Sequence, residues 1–123
     1  MDARVLKVIE TMRRRFQRPL SVGSMAASVN LSPSRFQHLF KVETGVAPLS
    51  YLKALRIEEA RKLLETTFLT NQEIIARVGI RDDSHFARDF KKAHGLSPGQ
   101  YRARHYSQNT PPAPAGGADS SIG

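Results

Sequence analysis

Ser34, Gln37, His38 and Lys41 step by 3, 1 and 3, so on a helix they share one face. Fifty residues later Ser84, Arg88 and Lys91 take up the equivalent face, with His85 beside them. These are hydrogen-bonding and cationic groups, and they match what the edge of duplex DNA offers. Arginine pairs with guanine, glutamine with adenine, and serine or histidine with several acceptors, while a major groove is wide enough to admit a helix. On one helix alone such a face reads as a solvated surface. Two at repeated positions point to a polyanion, although an acidic protein surface would attract the same charges.

Other chemistries find little support. The chain holds no Gly-rich phosphate loop, no nucleophile elbow and no metal-ligand pair. Its four histidines, His38, His85, His94 and His105, are scattered without helical ligand spacing, whereas a metal needs convergent ligands. No catalytic residue, metal or cofactor is therefore expected, and the chain is not read as an enzyme. An RNA target is disfavoured because no aromatic residues stand on a strand platform.

Composition agrees. A length of 123 residues suits one domain, or two very small ones sharing a core. The absence of cysteine excludes disulfides and suits a reducing compartment. Met1 to Arg4 open no secretory signal, and no stretch approaches the roughly 20 apolar residues of a membrane span. The expectation is a cytoplasmic protein without membrane contact. The net charge is +8 and the pI about 10.5. All 19 Lys and Arg lie between Arg4 and Arg104, and of the acids only Asp119 follows them. That balance favours nucleic acid or an anionic membrane.

The elements that must carry these faces are helical. Val5, Ile9, Met12 and Phe16 form an apolar stripe bounded by Pro19. Ser21 caps a short helix through Val29 with Val22, Met25 and Ala26 facing inward, and Ser32-Pro33 opens the next, closed by Gly45. Pro48 starts a long helix to about Thr66, with Leu52, Leu55, Leu63 and Leu64 as its main apolar members. Thr70 and Glu73 form a capping box for a short helix ending at Gly79. Asp82 caps a helix to Gly95, and Ser97-Pro98 begins a last one through about Arg104. No window alternates with period 2, so no sheet is expected.

The chain also repeats at an offset of 50 residues. Ala26, Ser34, Phe36, Phe40, Lys41, Gly45, Pro48 and Tyr51 each recur without a gap, as Ala76, Ser84, Phe86, Phe90, Lys91, Gly95, Pro98 and Tyr101. Each unit holds a short helix with a small alanine for close crossing, a turn, and a second helix with Phe at i and i+4, which is a helix-turn-helix layout. The reading is all-α, with about seven helices in two such subdomains joined by a long linker helix. The first covers about 1–46, the linker 47–67, the second 68–105, and residues 106–123 form a disordered tail rich in Pro, Gly, Ala and Ser. The helix from Pro48 to Thr66 within it has 19 residues and is about 28 Å long at ~1.5 Å per residue, against about 34 Å between successive major-groove faces.

The segments Leu31–Gly45, Arg56–Leu64 and Ile74–Arg102 resemble the first recognition segment, the linker helix and the second signature of the AraC/XylS family of bacterial transcription regulators. The resemblance covers roughly residues 3–105. It implies that the third and sixth helices enter adjacent major grooves of a promoter or operator site, with double-stranded DNA as partner, RNA polymerase as a candidate second partner, and the nucleoid as location. Carried over by position, base contacts fall to Ser34, Gln37 and His38, and to Ser84, His85 and Arg88. Phosphate contacts fall to Lys41, Arg56 and Lys91. Ile80 stands where the family usually has Phe and should still fill the core. Arg35 and His85 stand where aromatics are frequent, which leaves open whether they face DNA or pack against the turn. Most members carry a separate effector-binding domain, for which this length leaves no room. Met1 stands shortly before the first helix, as in a single-domain protein.

Overall fold

The computed structural model describes residues 1–109, with side chains to residue 107. Seven helices follow in order: α1 (Ala3–Arg15), α2 (Val22–Ser28), α3 (Pro33–Thr44), α4 (Pro48–Thr66), α5 (Asn71–Arg77), α6 (Phe86–His94) and α7 (Pro98–Asn109). No strand occurs among the described residues. The caps follow the local sequence. Ser21 and Thr70 each close a capping box, with Ser24 and Glu73 respectively, and Ser32 accepts from the Arg35 amide. Gly45 and Gly95 end α3 and α6 in left-handed conformation and donate to the carbonyls of Lys41 and Lys91.

Two cores form. Val5, Val8, Ile9 and Met12 of α1 meet Met25, Ala26, Phe36, Phe40 and Leu52 in the first. Ile57, Ala60 and Leu64 meet Ile74, Ile75, Val78, Phe86 and Phe90 in the second. The spacing of 3 and 4 that buries Val5, Val8 and Met12 is repeated by Ile57, Ala60 and Leu64. The second half of α4 thus does for the second core what α1 does for the first. Leu52 and Ile57 are five residues apart, about 140° round the helix, so α4 turns one face to each core. Leu55 and Leu63, expected among its main apolar members, are only partly buried. Ile80 packs against the second core as expected.

The repeat is not gapless. The capping boxes at Ser21 and Thr70 are 49 residues apart, and so are the positive-φ residues Asn30 and Gly79, yet the next caps, Ser32 and Asp82, are 50 apart. The second turn therefore holds one extra residue. In the first helix of each unit the buried equivalents of Met25, Ala26 and Val29 are Ile74, Ile75 and Val78. Ala76 is exposed and makes no close helix crossing. Its identity with Ala26 is a coincidence of composition.

Two boundaries differ from the sequence reading. The expected helix from residue 83 begins instead as a 3-10 turn, Asp83–His85, and becomes α-helical only at Phe86. The last helix does not stop near Arg104. It reaches Asn109, and Tyr106, placed in the tail by its sequence surroundings, donates its hydroxyl to the Thr67 carbonyl at 3.0 Å. Arg102 donates to the carbonyls of Leu64, Thr67 and Leu69, so α7 closes over the end of α4. The remainder of the expected disordered tail, 110–123, lies outside the described residues.

Candidate nucleic-acid interface

α3 is held by Phe36 and Phe40, both buried, whose rings meet edge to face at 5.7 Å. That anchoring leaves Ser34, Gln37, His38 and Lys41 together on the outer face, all exposed. Phe86 and Phe90 anchor α6 in the same way, with centroids 5.9 Å apart. Arg88 and Lys91, one turn apart, are exposed on its outer face.

Ser84 and His85 are exposed but sit in the 3-10 turn before α6, so they are not in helical phase with Arg88 and Lys91. Ser84 donates both its amide (3.0 Å) and its hydroxyl (2.6 Å) to the Asp82 carboxylate. Those bonds hold the Asp82 carboxyl below its ordinary range, the Ser84 side chain contributing most. The hydroxyl proton is thus engaged, which leaves the Ser84 oxygen free chiefly as an acceptor. Arg88 is 70% exposed along its side chain; its Nε lies 4.0 Å from Asp89, whose other oxygen is held closer by Lys53, at 3.3 Å. Arg35 and His85 are both exposed, so neither packs into the turn.

Arg56 is set differently from Lys41 and Lys91, the other two expected phosphate contacts, which are exposed. It is half-buried on α4, donating Nε to the Phe16 carbonyl at 2.8 Å and Nη2 to the Arg18 carbonyl at 3.0 Å. Burial, and then the nearby charge of Arg81, lower its affinity for its proton. Its guanidinium is committed to main chain because two otherwise unpaired carbonyls of the α1–α2 loop lie within its reach.

Behind the second face, Arg61 bridges Glu58 and Glu65, and the Tyr101 hydroxyl donates to Glu65. The Tyr101 and Arg61 hydrogen bonds hold the Glu65 carboxyl below its ordinary range. Among the described residues no group of three His, Asp or Glu could hold a metal, and no helix is long and apolar enough to cross a membrane.

The comparisons with known proteins bear on this architecture. A family model described as a helix-turn-helix domain matches residues 25–104. The arabinose operon regulatory protein of Salmonella typhimurium is 42% identical over 82 residues, covering 67% of this chain and 29% of its own length. The DNA-binding domain of AdpA, a global transcriptional factor solved in complex with a target DNA, has a TM-score of 0.82 at 28% identity, covering 88% of this chain and 97% of that one. The chain belongs to the AraC/XylS family. The C-terminal domain of AraT, a response regulator from Geobacillus stearothermophilus, superposes on this AraC-type domain with a TM-score of 0.78 at 34% identity, covering 84% of this chain and 86% of that one. Family membership makes the matched segment an AraC-type helix-turn-helix domain. The AraC-type domain matches under a third of the arabinose regulator's length.

The sequence reading missed the extra residue of the second turn, the 3-10 entry into α6 and the clasp made by Arg56. The first was signalled by cap spacing, 49 residues against 50. The others had no local signal.

Proposed function

We propose that this chain is a sequence-specific duplex-DNA-binding regulator of transcription that sets α3 and the Asp83–His94 segment into adjacent major grooves of a promoter site. The observation that carries this reading is the pair of outward polar faces, Ser34/Gln37/His38/Lys41 and Arg88/Lys91, each on a helix pinned from behind by a Phe pair. Gln37 and Arg88 supply the bidentate chemistry that distinguishes adenine and guanine, and Lys41 and Lys91 supply phosphate contacts. Ser34, His38, Ser84 and His85 complete the base-facing set. Arg56 is left out of it. The AdpA domain, solved on target DNA, supports the same use of this fold. The two outward faces differ at Gln37 against Ala87 and at His38 against Arg88, so a monomer reads two unlike half-sites. RNA polymerase at the same promoter is the second partner, and the nucleoid the place of action.

Selection from a randomised duplex pool tests the reading. Enrichment of one bipartite site, with affinity falling steeply as salt rises, is the expected result. Binding to all duplexes alike, or only to acidic proteins, would overturn it.

A further inference from the structure

α4 is not the only connection between the two units. The α1–α2 loop of the first unit is tied to α4 at one point and meets the second unit at two. Arg56 binds the carbonyls of Phe16 and Arg18. The Phe16 ring packs against both cores. Gly79, in the second unit's turn, lies so close to the loop that a Cβ there would stand 2.6 Å from the Phe16 carbonyl oxygen and 2.7 Å from that of Gln17.

The repeat shows why this glycine is there. Gly79 has φ +85, but its structural equivalent in the first unit is Asn30, with φ 60. The turn itself therefore tolerates a side chain. The close approach of the first unit's main chain adds a demand for glycine at 79 that the turn conformation alone, which accepts Asn30, does not make. The extra residue of the second turn lies in the same region: Arg81 and Arg56 line one cleft with Pro19, Leu20 and Ser21 of the first unit.

A single strut lets the bodies at its two ends rock about it. A second contact beside the strut removes that freedom. We propose that the Phe16–Arg56–Gly79 junction locks the angle between the two units, and so sets the half-site spacing that the domain accepts. The inference rests on the DNA-binding reading above. Arg56 is then a positioning residue, acting on DNA through the first unit's loop. Two base pairs inserted between the half-sites turn the second by about 70° and move it by about 7 Å, which a locked frame cannot follow.

The test has one arm without DNA. The chain lacks cysteine, so Val42→Cys on α3 and Ala87→Cys on α6, both exposed, take spin labels at two unique sites. In this background the label-to-label distance is expected to be single and narrow. Arg56→Lys, which keeps charge and stem but cannot span two carbonyls, and Gly79→Asn, which tests close approach apart from backbone conformation, should each broaden it while helix content is kept. An unchanged distribution in both variants would overturn the proposal.

The second arm uses the selected duplex and the same duplex with two base pairs inserted. The unsubstituted protein should lose about tenfold or more on the insertion, comparable to losing a bidentate base contact. Arg56→Ala and Gly79→Asn should narrow that gap to about threefold with the salt dependence unchanged. A shallower salt slope in Arg56→Ala with the spacing preference intact would make Arg56 a phosphate contact and overturn the proposal. If the unsubstituted protein prefers no duplex, the DNA-binding reading fails, and the label distances still decide whether the junction locks the units.

Discussion

Phe90 and Tyr101 meet edge to face, with ring centroids 5.5 Å apart and planes at 79°. Phe40 and Tyr51 repeat the contact at 5.5 Å and 84°. Each Tyr stands on the helix after its recognition segment, so each pair fixes that segment from below. Phe90→Ala and Phe40→Ala should each cost about 3–5 kcal/mol. For a domain of this size that lowers the melting temperature by on the order of 10 °C or more. Thermal melts followed by circular dichroism check this, and a Phe90→Ala protein that melts with the parent would refute the placement of α6.

Glu65 gives a pH dependence with a definite sign. Its folded pKa is depressed, first by the Tyr101 hydroxyl and then by Arg61. Its stabilising contribution is therefore present above the ordinary glutamate value of about 4.3 and is lost as pH falls through the depressed folded value. Glu65→Gln should be less stable than the parent near neutrality, and the gap should close in acid. Urea unfolding at a series of pH values measures it; a constant gap would deny the carboxylate its role.

Lys41 and Lys91 hold matched places at the outer faces of α3 and α6. Lys→Ala at either should weaken binding to all duplexes alike and reduce the salt slope by about one unit. Titrations at several salt concentrations decide it. Loss confined to one base position, with an unchanged slope, would argue for base reading instead.

Arg88 is the residue for which base reading is most sharply tested. Its neighbouring acid, Asp89, is held closer by Lys53 than by Arg88, so little restrains the guanidinium. Arg88→Ala should leave the melting temperature near that of the parent and relax preference at one or two base pairs of one half-site, at about 1–3 kcal/mol of discrimination. Repeating the site selection with the variant is the measurement. Unchanged preference at every position would remove Arg88 from the set.

The helices were legible because their signals are local. Ser21, Ser32 and Thr70 are caps wherever the chain goes, and apolar residues at steps of 3 and 4 bury one side. The reading faces followed from the Phe pairs, since whatever lies opposite a buried Phe is exposed. Identity alone gives the wrong register for the first helix of each unit, where the caps give the right one: Ala76 matches Ala26 in type but not in place. Arg56 could not be read from its surroundings, because its partners lie 38 and 40 residues away. The same holds for Tyr106, whose partner Thr67 is 39 residues distant and whose neighbours in sequence suggest only a tail. Contacts of that range appear only once the chain is folded.

α4 has a consequence for how the molecule is made. The buried members of the first core lie between Val5 and Leu52, and its partly buried neighbours end at Leu55. Every one of them is synthesised before Ile57, the first buried member of the second core. A chain leaving the ribosome from its N-terminus can close its first hydrophobic cluster while the later part is still emerging. The later half then condenses onto the far end of a helix whose near end is already fixed. The order of translation thus favours closure of the first core before the second.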